Sequence, residues 1–286
     1  MSKITFSKPF FDQLKKVTTI TKAGRALLYK KKGRYRLTIS NDEMMIHLSA
    51  GPDDLYFDDD TVNIFSLSEF VKYAETTGYP ESGSIEVGPE LSATGRSYLY
   101  IKFISAKNLV CRTITADPTC FTKADRRTPH KRGEDGMERL AEICFTDESL
   151  KDFENRMRLV NGCRFFSIII QDGVVRIYLK GKLAQQITFD VDSKSTRNVD
   201  DVLVKSVFTP GKIALFPSNW IKVMKGIGGT FEVDIKYARA DGYEQMGVKA
   251  YQDIVGANPE DPIQIFCGAS ECGSDGTNNV TYDLVL

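Results

Sequence analysis

Hydrophobic and polar residues alternate along most of this chain, and short turn signals interrupt the alternation at regular intervals, as β-strands require. Arg34-Tyr-Arg-Leu-Thr-Ile-Ser40 alternates, Asn41-Asp42 supplies a turn, and Met44 to Leu48 runs on, so the segment predicts a hairpin. Phe165 to Ile170 and Val174 to Leu179 flank Asp172-Gly173 and predict a second, because Asp-Gly tolerates the positive φ of a tight turn. Further strands are predicted near 97–104, 109–114, 184–190, 202–208, 230–238, 262–267 and 279–285.

Four stretches switch to the helical period. Residues 8–18 place Phe11, Leu14 and Val17 on one face, and 67–76 do the same with Leu67, Phe70 and Tyr73 or Ala74. Residues 147–159 carry Leu150, Phe153 and Met157 on one stripe, with Thr146 as N-cap and Asp147 and Glu148 suited to the helix dipole. Residues 218–226, led by Pro217 and Ser218 and ended by Gly226, offer Trp220, Ile221 and Met224 as core residues.

These elements occur twice in one order. Ile4 and Phe6 close a short strand before Ser7 and the first helix; Ile143, Phe145 and Thr146 repeat the device 139 positions later. Val62 to Ser66 precedes the second helix as Ile213 to Pro217 precedes the fourth, here 151 positions apart. An insertion of about a dozen residues in the polar stretch 192–201 would account for the difference. The expected architecture is therefore α+β: two copies of a β-rich domain with two helices each, at 1–115 and 138–286. Between them, 116–137 contains Pro118, Pro129, Gly133 and Gly136, and five Lys or Arg residues fall within 123–132, which reads as an exposed connector.

The length of 286 residues suits two such domains. No run of 18 apolar residues and no signal-peptide pattern occurs, so a cytoplasmic protein without a membrane partner is expected. Six cysteines form no C-x-x-C pair and lie far from His47 and His130, which argues against zinc; Cys144 and Cys163 are expected to be buried. His47 is expected at the surface or at a strand edge, and the acidic run 52–60 is expected to be a solvated edge rather than a divalent-cation site. Gly226-Ile-Gly-Gly229 follows a helix and lacks the Lys-Ser/Thr of a phosphate loop, and neither a nucleophile elbow nor a metalloprotease motif is present. No catalytic residue, metal or cofactor is expected, and the protein reads as a non-enzyme.

Net charge is zero, with 38 basic and 38 acidic residues, so any affinity for nucleic acid must come from the placement of charge. Away from their apolar stripes the helices carry Lys15, Lys16, Lys72, Lys151, Arg156, Arg158, Lys222 and Lys225, diluted by Asp12, Asp152 and Glu154. The acidic runs 53–60, 191–201 and 258–261 lie in predicted loops or strand ends. Cations so arranged suit phosphate contacts that read no base sequence.

The opening helix Phe10-Phe-Asp-Gln-Leu-Lys-Lys-Val17, the hairpin region Leu28 to Leu48, Val62 to Phe70, Phe145 to Leu150, the Asp172-Gly173 turn and Phe216 to Trp220 together resemble DNA sliding clamps. The chain looks most like the trimeric processivity clamps of large tailed bacteriophages. That resemblance implies a DNA-clamp fold whose two domains form a pseudo-six-fold ring as a homotrimer. In such a ring the helices line a channel around double-stranded DNA, and edge strands pair between subunits. It further implies tethering of a replicative DNA polymerase, opening by a separate ATP-driven clamp loader, and a role for the eight helix cations in DNA binding. If the protein is viral, it would act in the host cytoplasm. The connector and the 191–201 stretch are longer than a minimal clamp needs, and the C-terminal Tyr282 to Leu286 shows no partner-binding signature. Two other readings share some of these features: a monomeric polymerase processivity factor with the same duplicated fold, and a phage structural protein of repeated β-domains.

Overall fold

The repeat in the sequence is a repeat of structure. The computed structural model describes residues 2–22, 24–31, 33–41, 44–91, 97–115, 138–171, 173–181, 185–196, 214–240, 243–252, 263–268 and 270–271. They divide into two compact units, one formed mainly by the residues up to 115 and the other mainly by those from 138 to 252. The connector 116–137, the acidic run 258–261, the C-terminal residues 282–286 and the strands expected at 202–208 and 279–285 lie outside the described residues.

In the first unit, β1 (Ser2–Phe6) enters α1 (Lys8–Thr21), followed by β2 (Arg25–Lys31), β3 (Arg34–Ser40), β4 (Met45–Ala50), β5 (Leu55–Phe57) and β6 (Thr61–Ile64). Helix α2 (Leu67–Thr76) then leads to β7 (Ser84–Leu91), β8 (Ser97–Ile104) and β9 (Val110–Ile114). In the second unit, β10 (Glu138–Phe145) enters α3 (Asp147–Leu159), then β11 (Phe165–Gln171), β12 (Val174–Lys180), β13 (Gln186–Val191), β14 (Ser193–Thr196) and β15 (Ala214–Pro217). Helix α4 (Asn219–Ile227) precedes β16 (Phe231–Ala240) and β17 (Tyr243–Gln252), with short strands β18 (Ile263–Gly268) and β19 (Ser270–Glu271) beyond.

Strand order repeats as well. The first unit has β5-β1-β7-β8-β9 and β4-β3-β2-β6; the second has β14-β10-β16-β17 and β13-β12-β11-β15, the last extended by β19. The hairpins agree in register, with Leu28 opposite Leu37 and Ile168 opposite Ile177, each displaced by 140 positions. Their turns place Gly33 at φ 74° and Gly173 at φ 78°, a left-handed conformation in which a side chain would be strained. Leu67 N–H donates to Gly24 O at 3.2 Å, and Ser218 N–H donates to Arg164 O at 2.8 Å, so the same tie holds each second helix to its sheet. The spacing has grown to 151 by then; of the 192–201 stretch, Ser193–Thr196 pairs with β10 with a register shift between Glu142 and Ile143, and 197–201 lie outside the described residues.

Each helix pair covers an aromatic core. In the first unit Phe70 packs edge-on against Phe6 at 6.0 Å and Phe103 at 5.1 Å, and Phe11 meets Tyr79 at 5.2 Å. In the second, Phe153 contacts Phe145 at 6.0 Å, Phe166 at 5.3 Å and Phe189 at 5.2 Å. Burial of each such ring contributes about 1.5–3 kcal/mol, and edge-to-face geometry adds about 0.5–1.5 kcal/mol per pair. Both α2 and α3 occupy their expected bounds, whereas α1 runs three residues past the expected end. There Thr18 and Thr21 donate their hydroxyls to Leu14 O and Val17 O at 2.7 and 2.8 Å, which lets these polar residues lie buried in the last turns.

Caps fix where the helices begin. Ser7 Oγ accepts from Phe10 N–H at 3.3 Å, Ser66 Oγ from Glu69 N–H at 3.3 Å, and Thr146 Oγ1 from Ser149 N–H at 3.2 Å. Thr146 N–H in turn donates to Ser149 Oγ at 2.8 Å, completing a capping box. Ser218 leads α4 without capping it, being helical itself with its hydroxyl donating to Cys163 O at 3.3 Å.

His47 is half-buried on β4, with Nδ1 2.9 Å from the Thr38 hydroxyl. Two expectations need correction. Cys144 and Cys163 are half-buried rather than buried. The acidic run is more than a solvated edge, since part of it forms β5. Asp54 Oδ1 accepts from the Ser7 hydroxyl at 2.8 Å, and Asp58 accepts from Lys3 N–H at 2.9 Å and from the Tyr56 hydroxyl at 2.7 Å. These contacts hold the Asp58 carboxyl below its usual range, the Lys3 backbone bond first among the causes.

Candidate nucleic-acid interface

Each unit packs its two helices side by side, α1 against α2 and α3 against α4. The apolar stripes face inward: Phe11, Leu14 and Val17 on α1, Phe70 and Ala74 on α2, Leu150, Phe153 and Met157 on α3, Trp220, Ile221 and Met224 on α4. Polar residues between these positions are thereby turned outward, and the eight candidate cations are among them.

They divide into two classes. Lys16, Lys72, Lys151 and Lys222 are exposed and form no ion pair among the described residues. Each flanks a buried core residue: Val17, Val71, Leu150 and Ile221 respectively. Their backbone positions are therefore fixed by packing while their ammonium groups remain free to move. Such point charges on flexible stems attract phosphate without imposing a register.

The other four are engaged. Lys15 on α1 pairs with Glu75 on α2, a hydrogen bond that raises the lysine pKa. Arg156 Nε contacts Asp152 Oδ2 at 2.8 Å, and its guanidinium lies 4.5 Å from the centre of the Phe189 ring. Arg158 Nη2 reaches Glu154 Oε1 at 3.0 Å, and Lys225 on α4 takes the other oxygen of the same carboxylate. Burial pushes the Glu154 carboxyl up, but the hydrogen bond and charge of Lys225, with the charge of Arg158, outweigh it and leave the pKa lowered.

Sequence reasoning missed this pairing. Across the four helices nine Lys or Arg residues face seven carboxylates, so the helix surface is less basic than the eight selected cations suggest. A signal was present in the repeat: Lys15 and Glu154 are 139 positions apart, as the two first helices are, and carry opposite charge. Lys8 and Asp147 show the same inversion. Lys8 pairs with Glu81 beyond α2, while Asp147 Oδ1 accepts from Gly229 N–H at 2.8 Å beyond α4. Gly228 and Gly229, at φ 82° and 84°, thus serve a turn that ties α4 to the start of α3.

Among the described residues no group of three His, Cys, Asp or Glu side chains could hold a metal ion, and no helix is long and apolar enough to cross a membrane. No family model matches the chain, and no curated protein matches its sequence. Solved structures do match. The chain is similar to the PCNA of A. fulgidus, solved with the C-terminal region of FEN-1, with a TM-score of 0.53 and 12% identity over 94% of this chain and 98% of that one. It is similar to PCNA from Thermococcus kodakaraensis, with a TM-score of 0.52 and 11% identity over 94% and 100%. The DNA polymerase III beta subunit from Borrelia burgdorferi gives a TM-score of 0.58 at 12% identity over 94% of this chain, which spans 65% of that subunit's length. The fold is that of the DNA sliding clamps, an α+β architecture made from a duplicated domain.

Proposed function

We propose that this chain is a subunit of a DNA sliding clamp: a non-enzymatic processivity factor that encircles duplex DNA and tethers a replicative DNA polymerase. The observation that carries the proposal is the duplicated two-helix unit, similar to PCNA over 94% of the chain, with exposed lysines on every one of its four helices. Two such domains, 1–115 and 138–286 joined by 116–137, build a six-domain ring from three copies, as in the trimeric clamps of large tailed phages. Strands at the ends of the described sheets support self-association. On β9, Val110 and Ile114 are 45% and 47% exposed, and in the second unit β13 ends the sheet β13-β12-β11-β15. An open ladder edge carrying apolar side chains invites another strand.

Lys16, Lys72, Lys151 and Lys222 are the principal phosphate contacts in this reading, with Lys15, Arg156, Arg158 and Lys225 contributing less because each already has a carboxylate partner. Processivity then follows from enclosure, and loose phosphate contacts allow sliding. A separate ATP-driven loader opens the ring, and the protein works in the cytoplasm of the cell whose DNA is copied.

The test is the combined variant Lys16→Glu, Lys72→Glu, Lys151→Glu and Lys222→Glu. All four side chains are exposed, so circular dichroism should be unchanged while duplex binding and clamp-dependent polymerase stimulation are lost. Undiminished binding by the folded variant would remove the helix surface from the DNA and the proposal with it.

A further inference from the structure

The charge inversion between the repeats points to a function for a carboxylate rather than a cation. Each helix pair is clasped once across its seam, by Lys15 and Glu75 in the first unit and by Glu154 and Lys225 in the second. The two clasps join matching helices at closely similar places, since 15 and 154 lie 139 apart and 75 and 225 lie 150 apart, one short of the 151 between Leu67 and Ser218, but their polarity is reversed. Glu154 differs from Glu75 in two respects. Its side chain is 13% exposed against 45%, and it holds two cations, with Oε1 accepting from Arg158 at 3.0 Å and Oε2 accepting from Lys225.

Resting on the sliding-clamp reading above, we infer that Glu154 governs how tightly the second helix pair holds DNA, by withdrawing Arg158 and Lys225 from the phosphate backbone. Both cations are solvent-accessible, at 68% and 39% exposure, and would reach phosphates if released. A phosphate approaching either must compete with a sheltered carboxylate already in place. The seam therefore contributes less than the two charges its cations carry, and the hold stays weak enough for movement along the duplex. Simple clasping of the helices would need neither the second cation nor the shelter. Placing both on one carboxylate lets a single residue set the contribution of the whole pair.

The experiment measures equilibrium affinity of the full-length protein for a duplex oligonucleotide across a salt series. Each released phosphate contact steepens the plot of log affinity against log salt by about 0.9, so Glu154→Gln should steepen it by up to about 1.8 for one helix pair on the duplex. Its advantage over the wild type should then grow by about tenfold as salt falls from about 0.2 to about 0.05 M. The triple variant Glu154→Gln, Arg158→Gln, Lys225→Gln should bring the slope back to the wild-type value or slightly below it. Glu75→Gln, at the more exposed clasp, releases Lys15 alone and should steepen the slope by up to about 0.9, which keeps the idea testable if Glu154→Gln folds poorly. Asp12→Asn controls for simple loss of negative charge, because Asp12 is exposed and has no ion pair among the described residues. A slope for Glu154→Gln equal to wild type, or to Asp12→Asn, would overturn the inference while the four-lysine variant still lost binding and the clamp reading stood. Undiminished binding by the four-lysine variant would defeat both.

Discussion

Replacing Tyr79 by Phe tests how the first unit secures its opening strand. The Tyr79 hydroxyl accepts from Phe6 N–H and donates to Phe6 O at 3.2 Å, so one oxygen serves both backbone groups at the junction of β1 and α1. Tyr79 is 6% exposed and Phe6 3%, which leaves little water to take over either bond. The ring contacts to Phe6 at 6.3 Å and Phe11 at 5.2 Å survive the substitution, so the change isolates the hydroxyl. A buried polar group deprived of its partner costs about 1–3 kcal/mol, and the Phe6 pair should cost about 2 kcal/mol in all. Tyr178→Phe is the comparison: that hydroxyl donates to Gln186 Oε1 at 2.7 Å in a partly exposed strand pair, and its loss should cost about 0.5–1 kcal/mol. Urea titration followed by circular dichroism gives both values, while fluorescence of the single tryptophan, Trp220, reports the second core separately. Burial also raises the Tyr79 pKa, opposed by the Phe6 hydrogen bond. The folded state therefore favours the neutral phenol: this contribution is complete below the unfolded pKa of about 10 and is lost as pH rises above it, and Tyr79→Phe should flatten that alkaline decline. A destabilisation under about 0.5 kcal/mol with an unchanged denaturant slope would refute the assignment of both bonds to this hydroxyl.

Phe153→Ala removes the ring that joins Phe145, Phe166 and Phe189, and should cost about 3–5 kcal/mol, read from the Trp220 transition. Thr146→Ala breaks the capping box of α3 and should cost about 1 kcal/mol by urea titration. Gly229→Ala meets a left-handed backbone, with the new Cβ crowding Gln252 Nε2, and should cost at least about 1–2 kcal/mol; Gly24→Ala, with open space around it, should cost less. The lowered Glu154 pKa means that its contribution holds above the unfolded carboxylate value of about 4.3 and is lost as pH falls, so Glu154→Gln should flatten the acid limb of stability against pH.

Much of the fold was legible because local chemistry and packing agree at the legible positions. Thr146, Asp147 and Glu148 mark a helix start on polarity alone, and Asp172-Gly173 marks a turn that no bulkier residue enters easily, whereas the turn at Gly33 went unread. Where the two disagreed, the sequence misled. Val17-Thr-Thr-Ile-Thr21 reads as strand by β-branching, but burial of Val17, Thr18 and Thr21 holds it in the helix, with the Thr18 and Thr21 hydroxyls satisfied by carbonyls one turn back. Strand β7 contains Gly88 and Pro89, and β17 contains Gly247 and opens Tyr-Glu-Gln-Met without alternation, so neither announces itself; pairing with β8 and β16 makes them strands. The candidate interface was half legible. Spacing alone turns Lys16, Lys72, Lys151 and Lys222 outward, but the pairing of Lys15 and Lys225 depends on a neighbouring helix about 60–70 residues away in the chain.

The central claim is that the chain closes into a ring, and native mass combined with small-angle scattering at several protein concentrations tests it most directly. Three chains of 32.1 kDa, about 96 kDa, with the scattering profile of a hollow ring, are the predicted result. A compact particle of 32.1 kDa at every concentration would contradict it.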